Sequence, residues 1–199
     1  MYGGVKIGIG TPSNGSIHIK THVSILATVR LKNFDGNLAS LTQEGCMVHW
    51  NRAEILQAAF EKRCTHLWFV DTDMVFAPTA LWQLLELDKD IAGARYNLRR
   101  LEQLHSTVKT IEPDGTIVDL WLDQMPQRPF NRVDGSPIIL PTGFMLIRLE
   151  ALKNMPPPYF ECSHPIGEDV YFGKKVIESG VDVWCDPTIE VGHIGEAIY

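Results

Sequence analysis

Short apolar runs alternate along the chain with longer stretches whose apolar positions recur at helical spacing. Val5–Ile9 reads as a strand, stopped by Gly10, Thr11 and Pro12. From about Ile17 to Val29 the apolar spacing is helical. Leu38–Leu41 reads as a second short strand and His49–Glu61 as a second helix, with Ile55, Leu56, Ala59 and Phe60 on one face. Thr65–Val70 is β-rich and uninterrupted, the pattern of a strand covered on both faces. Pro78 suits the first position of a helix running to about Leu87, and Ile91–Tyr96 is a further strand. Strand and helix in alternation predict an α/β fold with a mostly parallel central sheet and helices on both faces.

Beyond Leu98 the pattern changes. Thr107–Ile111 and Thr116–Leu122 flank Pro113-Asp114-Gly115, which predicts a small β-hairpin insertion. Gln124–Pro137 is polar, with Pro126 and Pro129, and reads as a loop. Ile138–Leu149 is strand-like again. A helix over Glu168–Ser179 stops at Gly180, a residue suited to a left-handed cap, and Val181–Cys185 is the last strand expected.

Composition narrows the class without naming a chemistry. At 199 residues, 45% hydrophobic and 21% charged, the chain is sized for one folded domain over 1–199. Eighteen Lys plus Arg against 24 Asp plus Glu give a net charge of −6, the wrong balance for gripping nucleic acid by its phosphates. No apolar run approaches the length of a membrane span, and the start of the chain lacks the pattern of a signal peptide. Four scattered cysteines, at 46, 64, 162 and 185, suit free thiols and a cytoplasmic setting. Oligomeric state is left open.

Three groups of residues can carry chemistry. Asp71-Thr72-Asp73 directly follows the buried strand, at the end of a strand where open α/β sheets bind ligands. Two carboxylates there can share a hard divalent cation, Mn²⁺ or Mg²⁺, that keeps positions open for a diphosphate. A second such pair, Asp88 and Asp90, follows a helix in a turn and reads as a solvated loop. Gly167-Glu168-Asp169 opens the late helix. Acids in a first turn favourably oppose the helix dipole, and a carboxylate in that place can also accept a proton from a hydroxyl. Gly192-His193-Ile194-Gly195 puts a histidine between glycines after the last strand, free to turn onto a metal.

Taken together, these stretches resemble a metal-dependent glycosyltransferase of the GT-A fold, the nucleotide-diphospho-sugar transferase fold. The resemblance is to the small family 2-like enzymes of phage and bacterial genomes. It is carried by Thr65–Met74, Gly167–Gly180 and Trp184–Gly195, with Thr142–Ile147 and Ile7–Pro12 in support, and excludes Leu98–Pro137. It implies a nucleotide-sugar donor, a UDP-sugar being favoured, a saccharide or other hydroxyl acceptor, and a domain divided into a nucleotide-binding half (1–97) and an acceptor-side half (98–199). The implied metal site is Asp73 with Asp71 and His193; Asp71 is also placed to contact the ribose or a metal-bound water. Asp169 is implied as the base that deprotonates the acceptor, and Glu168 as a residue orienting acceptor or donor sugar. Thr11, Pro12, Arg52, Asp71 and Thr72 are implied on the nucleotide side. Relatives show Arg-Asn where this chain has Asn51-Arg52, so which of the two reaches the donor stays open. Arg95, Tyr96, Asn97 and Arg99 are candidates for the sugar pocket.

Other readings fit less well. Gly8 and Gly10 follow a strand as in a dinucleotide fold, but Ser13 stands where the third glycine is required. A sugar-nucleotide nucleotidyltransferase would carry a glycine-rich basic loop, whereas Thr11–Ile19 holds one glycine and no Lys or Arg. A zinc module using Cys162, His164, Cys185 and His193 lacks the usual ligand spacing. A non-catalytic nucleotide-sugar binder keeps the same residues and stays an alternative.

Overall fold

The computed structural model describes residues 4–31, 37–98 and 105–195. In chain order these form β1 (Ile7–Ser13), α1 (Ile19–Leu31), β2 (Leu38–Glu44), α2 (Val48–Glu61), β3 (His66–Val70), β4 (Met74–Phe76), α3 (Ala80–Glu86) and β5 (Ile91–Ala94). Then come β6 (His105–Ile111), β7 (Ile117–Trp121), β8 (Arg132–Val133), β9 (Ser136–Ile139), β10 (Phe144–Arg148), α4 (Glu168–Glu178), β11 (Val183–Asp186) and β12 (Val191–His193). Arg99, one of the sugar-pocket candidates, lies outside the described residues.

The main sheet has six strands in the order β11-β5-β10-β3-β1-β2. β2, β1, β3, β5 and β11 share one direction; β10 runs antiparallel between β3 and β5. Alternation along the strands divides the core. Ile7, Ile9, Trp68, Val70, Phe144 and Leu146 face α1 and α3, packing with Leu81, Trp82 and Leu84 and the partly buried Ile25 and Val29. Leu67, Phe69, Met145 and Ile147 face the other way, onto Ile55 and Leu56 of α2 and Phe172 and Val176 of α4. Leu67–Val70 is fully buried, so β3 is the two-sided strand its composition predicts. The expected helix boundaries hold within a few residues, except that α3 begins at Ala80, with Thr79 at its N-cap, rather than at Pro78.

Several features depart from the sequence pattern. The first strand is not stopped by Gly10, Thr11 and Pro12 but runs through them to Ser13, paired with β2. Ile138–Leu149 is not one strand. Pro141 has no N–H to give a ladder, and the chain breaks there: β9 joins a second sheet, while β10 enters the main one. The predicted hairpin is β6 and β7, but β9 and β8 extend it to a four-stranded sheet in the order β7-β6-β9-β8. Within the segment read as a loop, Phe130 exchanges two backbone hydrogen bonds with Cys185 (2.9 and 2.8 Å), tying it to β11 at the edge of the main sheet. Finally, His193 does not sit in a free tail. It lies in β12, which pairs antiparallel with β4 and sets His193 opposite Met74.

Candidate active site

The site gathers where β1 and β3 end. Asp71 leaves β3 with its N–H donating to the Gly143 carbonyl (2.9 Å), which fixes the turn before β4. β4 is short, but its pairing with β12, and a further bond from Ile194 N–H to the Asp73 carbonyl (2.8 Å), bring the chain's late residues back to the acid pair.

The two aspartates have different partners. Both Asp71 oxygens accept from Arg52 Nη2, at 2.8 and 3.0 Å. Arg52 rises from α2 and is 2% exposed; its Nη1 donates to the Thr142 carbonyl at 3.5 Å, and its Nε stands 3.6 Å from Glu168 Oε1. Its guanidinium also lies over the Phe69 ring, 5.4 Å from the centroid. Burial alone would pull the Arg52 pKa down, but Asp71, Glu168 and Tyr96 more than offset it and the net shift is upward. Arg52 thus joins the first acid of one motif to the first acid of another. Beside it, Tyr96 is buried, and its phenol is pushed well above its ordinary pKa by desolvation and then by the Asp71 charge. Tyr96 Oη accepts from Gly143 N–H (3.1 Å). A Cβ on Gly143 would fall under 3 Å from Tyr96 Oη and 2.7 Å from Asp71 Oδ2, so glycine is required by this close approach.

Asp73 turns instead to His193, with Oδ1 3.6 Å from Nε2; the side chains are 21% and 13% exposed. His193 Nδ1 lies 3.1 Å from the Asn97 carbonyl, which can only accept, so Nδ1 carries the proton and Nε2 presents its lone pair in the neutral ring. Histidines that ligate metals commonly have their other ring nitrogen held in this way. Two ligands each ~2.1 Å from one ion lie about 3 Å apart at a right angle and about 4 Å apart when opposed, so 3.6 Å fits a shared divalent cation. Among the described residues no group of three or more His, Cys, Asp or Glu could hold a metal. The expected set of Asp71, Asp73 and His193 does not come together as three: Asp73 faces His193, whereas Asp71 is turned to the Arg52 guanidinium. Cys162 is exposed and Cys185 buried in β11, and they form no zinc cluster with His164 and His193.

A cavity of about 290 Å³ opens beside the acid pair, walled by Pro12, Asn14, Cys46, Asn51, Thr72 and both aspartates. Asn51 lines it, with Nδ2 donating to the carbonyls of Ser13 (3.2 Å) and Gly45 (3.0 Å); Arg52 stands behind the wall. Thr11 is buried and lines a different cavity, beside α1, of about 490 Å³. Glu168 and Asp169 form the first turn of α4, whose N-cap, Gly167, offers no side-chain cap. Asp169 Oδ1 accepts from Val170 N–H (2.8 Å), leaving Oδ2 outside that bond. Arg95 and Asn97 line a third cavity, of about 390 Å³, with Glu190 and Gly192. Sequence reasoning did not single out Gly143 itself or the Asn97 carbonyl; the Thr-Gly pair after a proline was the one visible signal for the former.

The described residues form a single mixed α/β unit of GT-A-like architecture. No protein-family model matches the chain, and no curated protein matches it in sequence. Among solved structures, the crystal structure of A197 from STIV matches with a TM-score of 0.64 at 20% identity, over 96% of this chain and 86% of that one. The crystal structure of GalNAc-T7 with UDP, GalNAc and Mn²⁺ matches with a TM-score of 0.56 at 12% identity. That alignment covers 98% of this chain and 45% of the other, so this chain spans less than half of that protein's length. At such identities the likeness speaks for the fold. No helix among the described residues is long and apolar enough to cross a membrane.

Proposed function

We propose that this chain is a glycosyltransferase that moves a sugar from a nucleoside-diphosphate donor, a UDP-sugar being favoured, to an acceptor hydroxyl. The observation that carries the reading is the meeting of His193 with Asp73, itself a wall residue of the cavity formed with Pro12, Asn51 and Thr72. These residues, 120 positions apart, are held together by the two-stranded ladder of β4 and β12. The cavity lies at the lower end of the range for small-molecule sites, roughly 300 Å³ and upward, and suits the nucleoside part of the donor.

Asp73 and His193 would hold Mn²⁺ or Mg²⁺, which supplies positive charge to a departing diphosphate. Asp71, fixed by Arg52, is placed to accept from a ribose hydroxyl or a water. Asn51, Pro12 and Thr72 confine the nucleoside, whereas Thr11, also in β1, faces the separate cavity beside α1. Glu168 is oriented by Arg52 and positions donor or acceptor. Asp169 takes the acceptor proton through the oxygen not bonded to Val170.

Calorimetric titration with UDP, with and without Mn²⁺, tests the reading. Binding is expected only with the metal, and is expected to disappear in Asp73→Asn and in His193→Gln while both variants keep the wild-type melting profile. UDP binding that ignores chelation, or that survives both substitutions, would overturn it.

A further inference from the structure

Helix α1 is turned inside out relative to an ordinary surface helix. Its buried positions are Thr21, Ser24 and Thr28. Their hydroxyls are bonded at short range: Thr28 to the Ser24 carbonyl (3.0 Å), Thr21 to the Thr72 carbonyl (3.0 Å), and Ser24 as acceptor from Phe76 N–H (3.3 Å). Small hydroxyl residues let the helix sit close against β4. Ile25 and Val29 are half-buried against the core, but three other large aliphatic side chains point outward: Ile19 is 67% exposed, Val23 56% and Leu26 40%. These three lie at i, i+4 and i+7, one stripe along the helix, and Arg30 continues it at i+11, with Lys20 one turn from Val23. Beside the stripe, the 490 Å³ groove under Ile25 and Leu26 carries the apolar surface inward, with Glu44 as its single acid.

Charge is divided just as sharply. Residues 1–34 contain Lys6, Lys20, Arg30 and Lys32 and no Asp or Glu, a balance of +4. The remaining residues hold 14 Lys plus Arg and 24 Asp plus Glu, a balance of −10. A cationic, acid-free helix with an exposed aliphatic stripe has the composition of an interfacial helix, and at 13 residues it is far too short to span a bilayer.

We infer that the outward face of α1 docks on an anionic lipid surface, Ile19, Val23 and Leu26 entering the headgroup–acyl boundary and Lys20 and Arg30 meeting lipid phosphates. A second copy fits this face less well. A two-fold contact would set the same patch against itself and oppose Lys20 and Arg30 to their like, whereas an anionic bilayer attracts the cationic face and repels the acidic remainder. Docking would also order the donor site relative to the membrane. The start of α1 is bonded to the acid-pair loop: His18 N–H, just before the helix, and Thr21 Oγ1 both donate to the Thr72 carbonyl, at 2.8 and 3.0 Å. The inference does not depend on the reaction proposed above.

Sedimentation of the full chain with vesicles of phosphatidylcholine alone, or of phosphatidylcholine with phosphatidylglycerol, tests it. Binding is expected to the anionic vesicles, to weaken with added salt, and to fall by at least tenfold in Val23→Asp/Leu26→Asp. Lys20→Glu/Arg30→Glu should lose a factor of more than about twenty, since each basic residue near such a surface contributes roughly fivefold. This second pair leaves the aliphatic stripe intact and serves if the first fails to fold. Absence of binding to any vesicle, or binding that ignores lipid charge and both variants, would overturn the inference. So would a dimer in light scattering that Val23→Asp/Leu26→Asp dissociates while the wild type ignores vesicles.

Discussion

Arg52 is the residue whose loss should be felt most widely. Its side chain is 2% exposed and faces carboxylates on two elements, Asp71 at 2.8 Å and Glu168 at 3.6 Å, themselves only 26% and 19% exposed. Arg52→Met keeps much of the volume and the packing on Phe69 but leaves two poorly solvated negative charges without their cation. Removing one partner of a buried ion pair costs about 3–5 kcal/mol. With a urea dependence of about 2 kcal/mol per M, the unfolding midpoint should fall by roughly 1.5–2.5 M. Arg52→Lys should recover only part of this, because an ammonium has no fork to meet Asp71 and Glu168 together. The decisive assay is a double-mutant cycle with Asp71→Asn, followed by urea unfolding. The two substitutions should be far from additive, the second costing much less once the first is made, with a coupling of about 1.5–3 kcal/mol. A loss below about 1 kcal/mol for Arg52→Met, or strictly additive effects, would refute the account of Arg52 as the cation that holds the site's acids in place.

Gly143→Ala should destabilise the fold by about 1–3 kcal/mol through overpacking and weaken nucleotide binding further, because the new methyl displaces Asp71 and Tyr96; thermal melting and calorimetry report the two effects separately. Asp169→Asn should retain donor binding and lose transfer, measured as release of the nucleoside diphosphate; wild-type turnover would reduce Asp169 to a first-turn acid. Stability should carry a pH slope from His66, whose pKa is held below its usual 6.5 by burial and then by Arg148. The unfolded chain takes up that proton more readily, so stability is intact above about pH 6.5 and declines as pH falls through the lowered folded value. In His66→Gln the difference in urea midpoint between pH 7.5 and pH 5 should shrink.

The sequence exposes what is local and periodic. The unbroken run Leu67–Val70 marks the central strand, Pro113-Asp114-Gly115 marks the hairpin, and Gly180, at φ +72°, ends α4 as a left-handed residue should. Helical spacing over α1 is visible too, but which side faces in is not. The structure buries Thr21, Ser24 and Thr28 and exposes Ile19, Val23 and Leu26, because close packing on β4 selects for size and for hydrogen bonds to Thr72 and Phe76 over hydropathy. Long-range pairing is where sequence reading stops. β4 and β12 have three residues each, too few for a periodic signal, and their register is set by partners across most of the chain. The acids of the site were legible by residue type and position. That Arg52 would claim Asp71 was not, since nothing local to α2 says what lies beneath it.

The antiparallel β10 has a consequence for how the molecule is made. Its place between β3 and β5 is near the middle of the sheet, yet it is supplied by chain that follows both neighbours after the whole excursion through β6–β9. During synthesis β3 and β5 therefore wait with open edges until Phe144–Arg148 has left the ribosome, and contacts so distant along the chain form slowly. Unfilled strand edges invite pairing with other chains, so the nascent polypeptide passes its most aggregation-prone interval late, when four of the six strands already exist and the one that joins their two groups has yet to arrive.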